Sequence, residues 1–243
     1  MSDVPSRGRS PSGVSPEPPS PSHGDHWLAA LAQDDPRLQD ALAIPVDAPA
    51  GLKLHRLPLT EALDMVQVTR DRRLVTAYPE PLATTLVQGV RPRELSLWET
   101  RAEGWLTVEH DAVGALTFFV TDLAENAPRY AAAGTRAGMD VELAGIAYAL
   151  ARSVGTARAS LPPRIEPAGR TDARFLPDDY AFEAEVVDVA PSGEGEVLEL
   201  MFQGGLSLPV VWRGRSGVEP GGHVKGHLWL TGRLPDGPTS KAQ

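Results

Sequence analysis

The clearest pattern in the sequence is an alternation of apolar and polar positions with a period of two. Leu116, Phe118 and Val120 are spaced in this way, and Leu198 and Leu200 repeat the spacing further along. A period of two predicts half-buried β-strands. The same criterion predicts further strands at residues 65–69, 73–78, 105–110 and 180–189.

Residues 114–150 resemble residues 196–232 at an offset of 82 positions. In each copy a strand is followed by a second apolar stretch, which contains Tyr130 or Trp212, and then by two glycines before a valine. A one-residue adjustment aligns Gly138 with Gly221. Glycine adopts positive φ without strain, so each pair of glycines predicts a turn before a strand.

The first copy contains Phe118-Phe119-Val120-Thr121-Asp122, then a predicted strand with Tyr130, and then Ala137-Gly138-Met139-Asp140-Val141. In this order the motifs resemble the second to fourth strands of an OB-fold. The second copy has Pro220-Gly221-Gly222-His223-Val224 but has Gly204-Gly205 in place of the aspartate. The resemblance implies a mainly β protein with two tandem small OB-like barrels. A single two-sheet sandwich built from both halves is the competing architecture.

The N-terminal part has a different composition. Residues 1–24 contain 6 Pro and 7 Ser and predict a disordered tail, because such a segment has little to bury. Trp27, Leu28 and Leu31 then predict a short amphipathic helix, and Asp34-Asp35-Pro36 predicts the start of a second one. The first helix either binds a partner protein or packs on the protein's own core, and the sequence leaves both open.

These patterns predict a chain of six segments. After the tail, residues 25–94 form a helical and mixed connector, with a short helix near 60–65 and a turn at 70–73. The remaining segments are a first module at 95–160, a linker at 161–177, a second module at 178–235 and a C-terminal tail at 236–243.

Composition narrows the possible functions. The chain has no cysteine, which excludes thiolate catalysis and thiolate metal sites, and a reducing cytoplasm fits this composition. The net charge of −9 argues against indiscriminate binding to phosphate backbones. No apolar run approaches the roughly 18 residues of a membrane-spanning helix, so we expect neither a membrane partner nor a membrane location.

The sequence contains no motif of a catalytic nucleophile, a phosphate-binding loop or a dinucleotide site. His223 and His227 are four apart, but on a strand that spacing spans about 13 Å, too far for one metal ion. We therefore expect no enzyme activity, cofactor or metal. Gly193-Glu194-Gly195 is interpreted as a hairpin turn.

Two binding functions remain. The first is binding of single-stranded DNA or RNA, in which aromatic rings stack bases and cations follow the backbone. If Val224, Leu228 and Leu230 face inward, their neighbours form an outer face, and the predicted site comprises Arg129, Tyr130, Trp212, Arg213, Arg215, Lys225, His227 and Trp229. The alternative is a protein–protein adaptor that uses sheet edges together with a helix tethered through Trp27, Leu28 and Leu31.

Overall fold

The computed structural model describes residues 51–98, 102–133, 138–153, 163–170 and 175–235 of the 243-residue chain. These residues are mainly β, as the alternation of apolar positions predicts. Twelve described strands lie in one three-stranded and one nine-stranded sheet. The predicted N-terminal tail, the helices near Trp27 and the C-terminal tail lie outside the described residues.

The elements follow one another along the chain with these bounds. The three-stranded sheet contains β1 (Leu52–Pro58), β2 (Leu63–Arg70) and β3 (Arg73–Pro81). The nine-stranded sheet begins with β4 (Thr85–Leu97), β5 (Gly104–His110), β6 (Gly114–Val120) and β7 (Met139–Arg152), with helix α1 (Leu123–Ala133) before β7. It continues with β8 (Arg164–Pro167), β9 (Asp179–Ser192), β10 (Gly195–Met201), β11 (Ser207–Trp212) and β12 (His223–Arg233).

The strands predicted from alternation are confirmed. They correspond to β2, β3, β5, β6, β9 and β10, and the predicted turn at residues 193–195 joins β9 to β10. The predicted linker at residues 161–177 contains β8, which pairs with β9. The boundary predicted between residues 94 and 95 falls inside β4.

The three-stranded sheet is an antiparallel meander. Its second turn consists of Asp71 and Arg72, which both have positive φ, of 50° and 65°. Two positive φ values in a two-residue turn are typical of the type I′ hairpin, whose twist matches that of the strands. The predicted turn at 70–73 is therefore confirmed. The helix predicted near 60–65 is wrong, because these residues form a bend and the start of β2.

The nine-stranded sheet contains two similar halves. In each half three consecutive antiparallel strands, β4–β5–β6 or β9–β10–β11, are followed by one further strand, β7 or β12. The last strand of each half pairs antiparallel with the first strand of its own half. It also pairs in parallel with the third strand of the opposite half, so that β12 lies beside β6 and β7 lies beside β11.

Because β7 and β12 also pair with each other, the hydrogen bonds form two closed circuits of five strands. One circuit runs β4–β5–β6–β12–β7 and the other β9–β10–β11–β7–β12. Both circuits share β7 and β12, and the edge of the nine-stranded sheet is β8. Each half of the chain therefore completes the circuit of the other half.

This topology corrects the alignment of the two halves. Gly138 and Gly221 do occupy equivalent places, since each lies shortly before the last strand of its half. Phe118 and Leu200 do not. Phe118 lies on the third strand of the first meander, whereas Leu200 lies on the middle strand of the second. The alternation of apolar positions is the same in any half-buried strand, so it identified strands but not their order in the sheet.

The strand predicted around Tyr130 is wrong, because this residue lies in α1. Asp122 precedes the helix, and its carboxylate accepts a hydrogen bond from the side chain of Asn126 at 2.7 Å. The Tyr130 hydroxyl donates to the same carboxylate from one turn further along. The strand was predicted because the repeat aligns Tyr130 with Trp212, which does lie in a strand, β11.

The three-stranded sheet lies on the outside of the shared strands. Tyr78 of β3 packs edge-on against Phe119 of β6 with ring centroids 4.8 Å apart, and its hydroxyl donates to the Thr121 carbonyl. We call the side of the three-stranded sheet that carries Tyr78 its near face. Phe119, Ile146 and Trp229 are fully buried beneath it. The strands of the nine-stranded sheet are therefore covered here on both sides.

None of the described helices is long and apolar enough to cross a lipid bilayer.

Candidate binding cleft

A shallow cleft of about 320 Å³ lies on the outer face of β7, β12, β9 and β8. Its lining includes three small residues of the two shared strands, Ala149, Ala151 and Gly226. The two shared strands approach very closely here, because a Cβ added to Gly226 would lie 1.9 Å from the Ala149 carbonyl oxygen. Glycine is therefore required at this point.

Charged side chains form a row across three neighbouring strands of the cleft. Lys225 of β12 pairs in register with Glu183 of β9, and Glu183 pairs in register with Arg164 of β8. Lys225 and Arg164 are exposed, whereas Glu183 is buried and accepts a hydrogen bond from the Ser153 hydroxyl at 2.9 Å. The exposed charges of this row are therefore positive.

An aromatic pair forms a second part of the site. The imidazole of His227, which lines the cleft, stacks on the ring of Phe175 with a centroid distance of 5.0 Å and an interplanar angle of 11°. Both residues are only partly buried, so the pair has contact with solvent. A flat, partly exposed ring pair beside two cations suits a ligand with a planar group and a negative charge.

Two of the eight predicted site residues line the cleft, namely Lys225 and His227. Two others are core residues. Trp229 is fully buried and donates from its indole nitrogen to Asp178 at 2.7 Å, and Tyr130 is 2% exposed. A ring without exposed surface offers no face to a base, so the structure removes Trp229 and Tyr130 from the predicted surface.

The other four predicted residues are not among the residues that line the cleft. Trp212 is half-buried and packs against the larger core. Arg213 is exposed, and Arg215 donates to the Gly193 carbonyl at 2.8 Å. Arg129 is exposed on α1 and donates to the Asn126 side chain and the Pro235 carbonyl.

The error at Trp229 has a local cause. The pairing of β12 with β7 contains a register shift between His227 and Leu228. Beyond this shift, residues 228–232 are all buried, because the three-stranded sheet covers one side and the larger core lies on the other. An alternation rule assumes one exposed face, which exists only in the first half of the strand.

No pattern in the sequence assigns Arg164, Glu183 or Phe175 to the predicted site. Arg164 and Glu183 become neighbours only through strand pairing, and Phe175 precedes β9 by a few residues. The one available signal was the alternation of Glu183 and Glu185 with apolar residues, which marks an outer face of β9. That signal does not identify which strand lies beside it.

A second group of polar side chains is enclosed under the three-stranded sheet. Asp178 is fully buried, and burial raises its pKa to about 8, with the neighbouring charge of Asp179 acting in the same direction. Asp179 accepts a hydrogen bond from the Tyr148 hydroxyl and another from the Leu176 amide. A raised carboxyl pKa is common in active sites, but Asp178 has no exposed surface through which a substrate would reach it.

An ion-pair network joins the two sheets near the ends of β3 and β12. Glu80 accepts from Arg56 at 2.6 Å and from the Thr121 hydroxyl at 2.6 Å. Arg233 lies 3.6 Å from Glu80 and donates to Glu142 at 2.7 Å. Burial lowers the pKa of Arg56, but its hydrogen bond and charge interaction with Glu80 outweigh this and raise the pKa. The network thus stabilises the position of the three-stranded sheet.

Within the described ranges, no group of three or more His, Asp or Glu side chains is arranged to hold a metal ion. No protein-family model matches the chain, and neither a curated protein nor a solved structure matches it.

Proposed function

We propose that this is a non-catalytic binding protein that holds a short stretch of single-stranded nucleic acid in the cleft. The observation that carries the proposal is the stacked His227–Phe175 pair beside the exposed cations Lys225 and Arg164. Single-strand binding combines these two elements, because every base has a flat face and every nucleotide carries a phosphate. A cytoplasmic location belongs to the same proposal.

The pairing of strands supports the interpretation of each circuit as an OB-like barrel. The first circuit resembles an OB-fold, because both are five-stranded Greek-key arrangements that begin with a meander. In the first circuit, α1 lies between the third and fourth strands, and the third strand pairs in parallel with the last. In this proposal β12 takes the fifth place in the first barrel, and β7 takes it in the second.

The usual ligand surface of such a barrel is formed by its second and third strands and by two loops, one of which joins strands four and five. Here Phe119 and Val211, on the third strands of the two circuits, are buried beneath the three-stranded sheet. The cleft lies where the end of β7 meets the start of β12. In the first circuit this is the place of the loop between strands four and five, which favours the cleft as the ligand site.

The overall charge limits how the ligand is bound. With a net charge of −9, the protein as a whole repels a polyanion, so affinity has to come from the local cations. With two phosphate contacts, the logarithm of the binding constant for a single strand should fall with the logarithm of the salt concentration with a slope of about 1.4. We therefore propose a short site of one or two nucleotides rather than a long track.

The adaptor alternative is less well supported by the sheet edges. The edge strand β8 has four residues. The edge strand β3 ends with Pro79 and Pro81, and the edge strand β1 carries Lys53 and Arg56. Short edges, prolines and charges are the devices by which proteins prevent a further strand from pairing. Binding of a partner by strand addition is thus disfavoured at these three edges.

The test is a titration of labelled single strands against the purified protein at two salt concentrations, followed by fluorescence anisotropy. Lys225→Ala and Arg164→Ala should each reduce the salt slope by about 0.7. The double variant His227→Ala, Phe175→Ala should weaken binding by about 1 to 3 kcal/mol with the salt slope unchanged. The matched control is Arg93→Ala, because Arg93 is an exposed strand arginine on β4 and does not line the cleft.

Well-folded protein that binds no single strand at low salt would contradict the proposal and leave the adaptor function. Equal losses in Arg93→Ala and Lys225→Ala would show general charge attraction instead of a site. Arg213→Ala provides a further comparison, since a larger loss there than in Lys225→Ala would favour the surface predicted from the sequence.

A further inference from the structure

The second face of the three-stranded sheet, which we call the far face, is buried along β2 and at the end of β3, although the nine-stranded sheet lies on the other side. Thr76, Tyr78 and Glu80 of β3 contact strands of the nine-stranded sheet or residues directly next to those strands, so they define the near face. Their register partners on β2 are Val68, Val66 and Asp64. Successive residues of a strand point to opposite faces, so Met65, Gln67 and Thr69 belong to the far face.

All three of these far-face side chains have 0% exposure. Pro79 and Pro81 on the same face of β3 are buried as well. A single sheet layer buries only the face that packs against another layer. Among the described elements, the main contacts of this sheet are with α1 and β7. Arg56 of the near face reaches Glu125 of α1, and Ile146 of β7 lies in the core under the near face, so neither element accounts for the far face.

We infer that residues 25–47 of this chain cover the far face. Of the other segments outside the described residues, residues 1–24 have Met1, Val4 and Val14 as their large apolar side chains, and each of the remaining segments has at most two. The segment 25–47 alone supplies enough apolar surface, with Trp27, Leu28, Leu31, Leu38, Leu42, Ile44 and Val46. Their spacing is that of amphipathic helices, which bury one apolar face against a sheet.

The connection of the chain places this segment beside the far face. The Gly51 amide donates to the Asp71 carboxylate at 3.1 Å, so the chain enters β1 next to the turn between β2 and β3. Asp47 is five residues before Leu52, which is at most about 17 Å of extended chain. The covering segment therefore needs no long connection.

The distribution of charge also supports the packing of residues 25–47 on the far face. The exposed side chains around the turn include Lys53, Arg70, Arg72 and Arg73, with Asp71 as the acid among them. Residues 25–47 contain five aspartates, at 25, 34, 35, 40 and 47, and one arginine, Arg37. The acidic composition of the segment is thus complementary to the basic side chains beside the far face, which favours binding within one chain over binding of a basic or neutral partner.

The first experiment measures proximity in the full-length chain, which has no cysteine of its own. Leu57 lies on the far face opposite Met65 and is 39% exposed, whereas Val187 on β9 is 45% exposed and serves as the control. With a short bis-maleimide, Leu31→Cys combined with Leu57→Cys should form the intramolecular cross-link at least about tenfold more than Leu31→Cys combined with Val187→Cys.

The second experiment measures protection from hydrogen exchange. Leu31→Asp should raise the exchange of the β2 amides by about tenfold or more while the amides of β10 keep their protection, because only the cover is lost. The control Val14→Asp changes an apolar residue of the N-terminal tail and should leave both regions as they are. Cross-links that form between two copies, or equal cross-linking to positions 57 and 187, would overturn the inference.

Discussion

The two halves of β12 belong to one continuous strand but have different surroundings. In the first half, residues 223–227, Lys225 is exposed, His227 is partly exposed, and the outer face lines the cleft. In the second half, residues 228–232 are buried, and Trp229 lies in the core beneath the three-stranded sheet. The alternation of apolar and polar side chains continues only as long as one face is open to solvent. A covering layer, and not the strand, decides which residues are available to a ligand.

The largest effect is expected from Trp229→Ala in the covered half. This substitution removes a fully buried indole and leaves the Asp178 carboxyl without that hydrogen-bond donor. We expect a loss of about 3 to 5 kcal/mol in the free energy of unfolding. Urea unfolding followed by circular dichroism measures it. A loss below about 1 kcal/mol would show that the covered half is not covered in solution.

Glu80→Gln tests the attachment of the covering sheet. The carboxylate of Glu80 faces both Arg56 and Arg233, and the amide leaves two cations without this anion. Removing one member of a buried ion pair costs about 3 to 5 kcal/mol. Because both arginines are partly exposed, we expect a smaller loss of about 2 kcal/mol in the free energy of unfolding, measured in the same experiment. The exposed pair Arg91–Asp111 provides a control, and Asp111→Asn should cost less than about 1 kcal/mol.

Gly226→Ala tests the close approach of β7 and β12 at the cleft. An added Cβ would lie 1.9 Å from the Ala149 carbonyl oxygen, so the two shared strands have to separate. We expect a loss of about 1 to 3 kcal/mol in unfolding free energy. Gly193→Ala is the comparison on an exposed turn, where positive φ but no steric contact opposes the change. A neutral effect at residue 226 would contradict the close pairing of the two strands.

Asp178→Asn tests the electrostatics of the covered half through the pH dependence of stability. The pKa of Asp178 is about 8 in the folded protein and near 3.8 when unfolded, so between these values the native state binds more protons. Stability therefore falls as the pH rises through this range, by at most about 1.4 kcal/mol per pH unit. In the same urea unfolding experiment, the unfolding free energy of the asparagine variant should depend less on pH between about pH 5 and 8. An unchanged profile would show that Asp178 is ionised in the native state.

The smallest effect on stability is expected in the open half. Lys225→Ala changes an exposed side chain, and its unfolding free energy should stay within about 0.5 kcal/mol of the unsubstituted protein. The same variant is expected to alter the salt dependence of single-strand binding. A large stability loss at Lys225 would remove the difference between the two halves of β12.

The sequence by itself determined the local structure of most of the described chain. Alternation identified β2, β3, β5, β6, β9 and β10, and glycine or Asp-Arg pairs marked the turns at residues 193–195 and 70–73. These features depend on one strand with one buried face or on the φ values of a few residues. Local sequence is sufficient for such features. It was not sufficient at Tyr130, because the repeat aligned this residue with the strand residue Trp212, whereas it lies in a helix that Asp122 stabilises at its start.

Only the tertiary structure decided which strands are neighbours and which faces are covered. The parallel pairings of β6 with β12 and of β7 with β11 join residues about 65 to 112 positions apart, and no spacing in the sequence records them. The three-stranded sheet buries Trp229, and strand pairing brings Arg164 and Glu183 to Lys225. Periodicity shows that a residue lies on a face of a strand. Which layer covers that face depends on long-range packing of the whole chain.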